Sequence, residues 1–149
     1  MPPVFVRVIT RDGTDSEALK LFHMRRSKGN VGSVAICRAG TKGADYYGVQ
    51  PEAGDLEIEK VLYSTFYGTN FDEELRKRGI ETLVVCGFTT ECCVDSTVRD
   101  AFHRNYNVFI VQDACSAYDP AMHLGALYAL SENCALLADT DDVVAAWRR

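Results

Sequence analysis

Short apolar runs recur along the chain, and stretches with helical spacing separate most of them. Five runs have the apolar and β-branched content of strands, at residues 4–9, 56–60, 82–86, 108–111 and 135–138. Helical spacing is found at residues 16–26, 70–78, 93–104, 121–133 and 142–147. Strands that alternate with helices indicate a parallel sheet covered on both faces. The pattern therefore predicts an α/β fold with three layers, α/β/α, and a mostly parallel sheet.

The stretch between Asp12 and Gln50 is less regular. It contains several glycines and scattered charges, and beyond its helical segment it is expected to form a long loop. Long loops in compact domains are often functional lids. No repeat or second alternating block is visible, so residues 1–149 are expected to form a single domain with a sizeable core.

Charge and hydropathy indicate which kinds of binding partner are not expected. The net charge is −5 and no dense basic stripe is present, so nucleic acid is not an expected partner. No apolar run reaches the roughly 18 residues that a membrane span needs, and no signal peptide is expected before the first strand. We expect a cytoplasmic protein with a small-molecule substrate and no membrane partner.

The chain contains six cysteines. Cys86 and Cys134 lie in apolar runs that resemble buried strands, and Cys37 follows another apolar run. Buried free cysteines behave as small hydrophobes, so packed thiols in a reducing compartment are expected rather than disulfides. There is no C-x₂-C pair and the three histidines are far apart in sequence, so neither a metal site nor a cofactor is expected.

Residues 87–102, GFTTECCVDSTVRDAF, place two cysteines where a strand leads into a helix. Thr90 is a good candidate for the helix N-cap, which puts Cys92 and Cys93 in the first turn. Backbone N–H groups and the helix dipole stabilise a thiolate there. The position makes a reactive cysteine plausible but does not choose between the two. The alternative is that both are packed thiols.

A lysine stands in the apolar register of the second strand. Alternation over residues 56–62 puts Lys60 on the face of the apolar side chains, whereas Glu57 and Glu59 lie on the other face. Lysines are seldom buried. Lys60 either reaches out to solvent at the rim or places a cation beside a thiolate, which would lower the pKa of the thiol and help to bind an anionic intermediate.

The spacing of these residues closely resembles the isochorismatase-like hydrolase superfamily, over residues 51–147 and only loosely before them. The matching positions share a fixed spacing around Lys60 and Cys93. They are Pro51, Gly54, Asp55, Lys60, Tyr63, Ser64, Phe66, Gly68, Thr69, Gly87, Phe88, Thr89, Thr90, Cys93, Val94, Ser96, Thr97, Asp100, Ala101, Asp113 and Ala114. In this superfamily a cysteine followed by valine, three residues after the threonine, marks the cysteine amidohydrolases, such as nicotinamidases, N-carbamoylsarcosine amidases and ureidoacrylate amidohydrolases.

The resemblance implies a Rossmann-like fold, a homo-oligomer and a cysteine-dependent hydrolase of small amide or ureido C–N bonds. Cys93 would be the nucleophile of a thioester mechanism and Lys60 the catalytic lysine. The backbone N–H groups of Thr89 and Cys93 would form the oxyanion hole, and the peptide bond between Phe88 and Thr89 would be cis. Phe66 would line the pocket, although a plain core aromatic fits the pattern equally well.

The sequence also departs from the family. The family's catalytic aspartate ends an N-terminal strand whose strand–helix unit has no match here, and neither Asp12 nor Asp15 stands at its position. Loss of that central strand would leave exposed sheet edges. Asn105 replaces a glycine that ends a helix. His123 is interpreted as a helix-surface histidine, although the family often carries a histidine at this position.

Two alternatives to the cysteine hydrolase therefore remain. One is a catalytically impaired or inactive subunit that acts in binding or oligomerisation, which the unmatched aspartate favours. The other is hydrolysis of a vinyl ether of the isochorismate type. Cys93 counts against it, because isochorismatases proper lack this cysteine.

Overall fold

The computed structural model describes residues 3–29 and 36–148 of the chain. By their contacts these residues form two compact units. The first contains the residues up to Leu62 together with Tyr67–Thr69, and the second contains Tyr63–Phe66 and the residues from Asn70 onward.

The first unit is built on a two-stranded parallel sheet. Strand β1, Val4–Val8, pairs with β2, Leu56–Lys60. The register sets Val4 opposite Leu56 and Val8 opposite Lys60. Helix α1, Glu17–Arg26, begins after Ser16, whose hydroxyl accepts a hydrogen bond from the Leu19 N–H at 3.3 Å. The predicted helix is thus confirmed.

Charged side chains hold much of the first unit together. Arg7 donates to the Ala44 carbonyl at 3.0 Å, and its guanidinium lies 4.1 Å from the centre of the Tyr46 ring. The same guanidinium is within 3.6 Å of both Glu57 and Glu59, on the polar face of β2. Arginine can make all of these contacts at once because its planar fork carries five N–H donors.

The second unit alternates helices and strands. Its elements in chain order are α2 Phe71–Lys77, β3 Thr82–Phe88, α3 Asp95–His103, β4 Asn107–Ser116, α4 Pro120–Asn133, β5 Leu136–Ala138 and α5 Thr140–Trp147. The three strands form a parallel sheet in the order β3–β4–β5. Its core contains side chains with no solvent exposure, namely Val98, Ala101, Ile110 and Leu130.

The predicted α/β class with parallel strands is confirmed. Within the described ranges the strands are divided between two sheets rather than joined in one. In that part of the chain β3 pairs with β4 on one side only, and Cys86 and Phe88 near its end are exposed. The expectation that Cys86 is buried is therefore wrong, because β3 is an edge strand of its sheet.

Two further sequence expectations concern helix ends. Cys134 is buried as predicted, but it follows α4 as the C-cap residue instead of lying in a strand. Asn105 has a φ of 69°, and the Tyr106 N–H bonds back to the Ala101 carbonyl, so asparagine ends α3 in the left-handed conformation as expected.

None of the helices in the described ranges combines the length and apolar character that crossing a membrane requires.

Candidate active site around Cys93

The two adjacent cysteines lie in a distorted turn directly after β3. The peptide bond between Phe88 and Thr89 is cis, which is the conformation that the resemblance implies. A π-helical turn then covers Thr90–Val94, and α3 begins only at Asp95. The Thr89 carbonyl accepts hydrogen bonds from the N–H groups of Cys92, at 3.3 Å, and Val94, at 3.1 Å. Single π turns inside helices are frequent at functional sites.

Thr90 does not cap this turn, contrary to the sequence prediction. Thr89 is the residue that precedes the turn, in an extended conformation, and its side chain makes no capping hydrogen bond. The Thr90 side chain is instead fully buried, and its hydroxyl lies 2.8 Å from Nδ1 of His123 on α4. His123 is thus a hydrogen-bonding partner of the turn. Its interpretation as a mere helix-surface histidine is wrong.

The Cys92 and Cys93 thiols titrate as a pair. The hydrogen bond with Cys93, followed by burial and the nearby charge of Glu91, raises the pKa of Cys92. When two ionisable groups interact this strongly, the second proton is much harder to remove than the first. Because its pKa is raised, Cys92 stays protonated at neutral pH.

Cys115, on β4, is a thiol of this unit whose pKa is shifted mainly by burial. It lies opposite Gly87 in the strand register and is buried. Burial raises its pKa to about 11. A thiol in this state remains protonated and unreactive at neutral pH. Cys93 is half-buried by comparison.

Lys60 belongs to the first unit, whereas Thr89 and Cys93 belong to the second. The predicted apolar register of Lys60 is confirmed, since only 5% of the residue is exposed while Glu57 and Glu59 face solvent. This burial excludes the alternative in which the lysine reaches out to solvent. A partnership between Lys60 and Cys93 stays a prediction.

Phe66 lies in an aromatic cluster of the second unit. Only 6% of it is exposed, and its ring centre is 4.9 Å from that of Phe71 and 5.9 Å from that of Tyr106. The Arg104 guanidinium lies 4.9 Å from the centre of the same ring. These contacts are those of a core aromatic, the second of the two interpretations that the sequence allowed.

The loop just before Phe66 is tied to α3. Ser64 donates a short hydrogen bond to the Asp100 carboxylate. The Thr65 N–H donates to the Thr97 hydroxyl at 3.1 Å, and the two threonine hydroxyls also lie 3.1 Å apart. The motif residues Ser64, Thr97 and Asp100 therefore have a common physical role, because they fasten the loop to the helix that follows the cysteines.

Neither aspartate of the irregular stretch resembles a general base. The Asp15 carboxylate accepts hydrogen bonds from Arg38 and from the Arg11 N–H, each at 2.8 Å. Burial opposes ionisation of Asp15, but these hydrogen bonds outweigh it and lower the pKa of the carboxyl. Asp12 is fully exposed and lies 3.6 Å from Arg38. Asp15 therefore acts as a structural anion of the first unit.

Among residues 3–29 and 36–148, no three His, Cys, Asp or Glu side chains converge in an arrangement that could ligate an ion.

This arrangement defines an α/β protein with a cysteine at the carboxyl end of a parallel strand, where such folds bind ligands. The model of the isochorismatase domain matches residues 1–142, so the chain belongs to the isochorismatase family. The match extends over the N-terminal part, where the motifs resembled the family only loosely.

Individual relatives agree with this assignment. A ureidoacrylate amidohydrolase from Methylorubrum extorquens is 49% identical over 78 residues, which are 52% of this chain and 32% of the relative. An isochorismatase-like hydrolase from Alkaliphilus metalliredigens has a TM-score of 0.79 at 26% identity, covering 97% of this chain and 72% of that structure. N-carbamoylsarcosine amidase from Thermoplasma acidophilum has a TM-score of 0.71 at 31% identity, covering 93% of this chain and 72% of that structure.

These similarities confirm the predicted resemblance to the cysteine hydrolase branch of the superfamily. In the curated relatives the matched segment spans between about a third and a half of the full length.

Proposed function

We propose that the chain is a cysteine-dependent hydrolase of a small amide or ureido compound, acting on a C–N bond through a thioester. The observation that carries the proposal is the position of Cys93, half-buried in the π turn between the end of β3 and the start of α3. The names of the relatives, a ureidoacrylate amidohydrolase and an N-carbamoylsarcosine amidase, support the substrate class.

The reaction begins when the Cys93 thiolate attacks the carbonyl carbon and forms a tetrahedral oxyanion. The backbone N–H groups of Thr89 and Cys93 donate to this oxyanion. The C–N bond then breaks and the nitrogen takes up a proton from solvent water, so ammonia or an amine leaves and a thioester remains on Cys93. Water attacks the thioester, which releases the acid and regenerates the thiol.

The Cys93 thiol gives up its proton to solvent water, because no side chain is assigned as its base. The raised pKa of Cys92 keeps the neighbouring thiol protonated, and in this proposal Cys92 donates a hydrogen bond that favours the charged form of Cys93. Hydrogen bonds to charged groups are stronger than those between neutral groups. Cys92, at the variable position of the motif, would thus assist the nucleophile.

Lys60 provides the positive charge in this proposal. It is held in the buried register of β2, where a cation interacts more strongly with an anion than it does in water. Its role is to stabilise the thiolate and the anionic intermediate. Neither Asp12 nor Asp15 is assigned as the general base.

The test is an assay for ammonia release from nicotinamide, N-carbamoyl compounds and ureido acids. We compare the unaltered chain with Cys93→Ser and with Cys86→Ser, a matched control at the exposed cysteine of β3. We expect Cys93→Ser to reduce turnover at least about 10³-fold and Cys86→Ser to leave it within twofold.

Turnover that survives Cys93→Ser would overturn the proposal. If the unaltered chain releases no ammonia from any compound, the hydrolase proposal also fails, and the non-catalytic binding subunit becomes the better account.

A further inference from the structure

A π turn needs support from its surroundings. Its wider ring departs from the regular α-helical pattern, and such turns are rare. Here the Thr89 carbonyl is shared between two N–H groups, those of Cys92 and Val94. The conformation of the turn therefore depends on the position of Thr89 and Thr90 at its start. A group that holds these two residues in place also stabilises the turn.

Thr90 is the first residue of the turn and has no solvent exposure. A buried hydroxyl that loses its partner costs about 1–3 kcal/mol. The partner is Nδ1 of His123, at 2.8 Å, and 33 residues separate the two in sequence. This hydrogen bond joins the turn that carries Cys93 to a different element, α4.

His123 is itself held rigidly. It lies in the first turn of α4, where its N–H bonds to the Asp119 carbonyl at 3.0 Å. The Asp119 side chain caps the same helix by accepting from the Ala121 N–H at 2.8 Å, and Pro120 fixes the first helical residue. Helix α4 also packs against the π turn. The imidazole thus extends from a well-defined helix start.

From this arrangement we infer that His123 is a positioning residue for the nucleophile, acting through the Thr90 hydroxyl on the turn that presents Cys93. The hydrogen bond fixes the first residue of the turn, and Cys93 follows three residues later. Without it the turn relaxes toward other geometries, so the thiolate and the donor N–H groups spend less time in the reactive arrangement. The activity part of this inference rests on the proposed function.

The test uses Thr90→Val, which keeps the shape and removes the hydroxyl, together with His123→Ala and the double variant. The first measurement is the rate at which Cys93 is alkylated by iodoacetamide at pH 7, with the site located by tandem mass spectrometry. We expect each single variant to slow Cys93 about tenfold and the double variant to be no slower, because both remove one interaction.

Rescue distinguishes positioning from a general loss of packing. An Asn side chain can place its amide near the position of Nδ1, whereas Gln reaches the position of Nε2. His123→Asn should therefore stay within about threefold of the unaltered chain, and His123→Gln should behave like His123→Ala. His103→Ala, at an exposed histidine of α3, is the matched control and should change nothing.

Multiplicative slowing in the double variant, or equal behaviour of the Asn and Gln variants, would overturn the inference. The Asn–Gln comparison remains informative if His123→Ala fails to fold. Turnover on the substrate panel is measured in parallel, where positioning predicts a lower kcat with little change in KM. If the variants are alkylated slowly but the unaltered chain shows no turnover, the proposed function alone is wrong. If the variants are alkylated at the normal rate and keep full turnover, this inference alone is wrong.

Discussion

The two units are stabilised in different ways. In the second unit, apolar side chains without solvent exposure, such as Val98, Ile110 and Leu130, form a core between helices and a three-stranded sheet. In the first unit, a two-stranded sheet is supplemented by arginine contacts that join distant parts of the chain, such as Arg7 with Ala44 and Arg38 with Asp15. Burial of apolar area stabilises more than partly exposed ion pairs do.

The two candidate catalytic residues, Cys93 and Lys60, lie in different units. Cys93 lies in the unit with the apolar core, on a turn that packs against α4. Lys60 lies in the unit with the arginine contacts, as a buried side chain at the end of a short strand. Substitutions that test the two kinds of stabilisation therefore also test how firmly each candidate catalytic residue is supported.

The largest effect is expected from the core of the second unit. Leu130→Ala removes a side chain with no exposure and should lower the free energy of unfolding by about 3–4 kcal/mol in urea titrations followed by circular dichroism. Leu124→Ala, on the same helix but 65% exposed, is the matched control and should cost less than about 1 kcal/mol. Equal losses for the two leucines would contradict the assignment of this core.

A smaller effect is expected from the charged contacts of the first unit. Arg7→Met removes the hydrogen bond to Ala44 and leaves Glu57 and Glu59 without this partner, so unfolding should become easier by about 1–2 kcal/mol. The loss should shrink in 1 M salt, where exposed charges are screened, whereas the loss from Leu130→Ala should not. Arg25→Met, at an exposed arginine of α1, controls for the change in net charge. A loss independent of salt would mean that Arg7 acts by packing alone.

The same difference explains how much of the fold could be predicted. In the second unit the apolar runs and helical spacing predicted every strand and helix, because periodicity records which face of an element is buried. In the irregular stretch of the first unit, helical spacing predicted only α1. The rest of that stretch showed no such signal, since a hydrogen bond such as that between Arg7 and Ala44 depends on partners 37 residues apart.

The candidate site shows the same limit. Cys93 follows from local information, namely a strand end, a helix start and a motif of fixed spacing. The buried register of Lys60 follows from strand alternation. The Thr90–His123 hydrogen bond could not be found in this way, because its residues lie on separate elements and each has an ordinary local role as cap or surface residue. The π turn was equally invisible and was predicted as plain helix.

A polar contact inside the second unit should respond to pH rather than to salt. Tyr106 donates to Asp72 at 2.7 Å, and burial, together with this carboxylate, raises the pKa of Tyr106 to about 12 from a usual value of 10.0. A raised pKa means that the stabilisation is complete below pH 10 and is lost as the pH rises from 10 to about 12.

Tyr106→Phe should therefore cost about 1 kcal/mol at neutral pH and flatten the decline in stability between pH 10 and 12. Thermal or urea unfolding at several pH values measures both effects. Tyr128→Phe, at an exposed tyrosine of α4, should leave the alkaline decline as it is in the unaltered chain. If Tyr106→Phe also leaves the decline unchanged, the phenol does not titrate as described.

The smallest effect concerns how helices end in the two units. In the second unit the left-handed residues after α2 and α3 are Gly79, with a φ of 64°, and Asn105, with a φ of 69°. In the first unit the corresponding residue after α1 is Lys28, with a φ of 54°. A side chain with a Cβ pays about 1–2 kcal/mol in this conformation, asparagine less than most, and glycine pays no steric cost.

Lys28→Gly should therefore stabilise the chain by about 0.5 kcal/mol, since the relief of backbone strain exceeds the extra freedom that glycine gains on unfolding. Lys28→Gln removes the same positive charge and keeps the Cβ, so it should give no gain. Replicate urea titrations resolve a difference of this size. A gain in stability in both variants would mean that the effect comes from the lost charge. A loss of stability in Lys28→Gly would show that the lysine side chain stabilises this helix end by more than its backbone conformation costs.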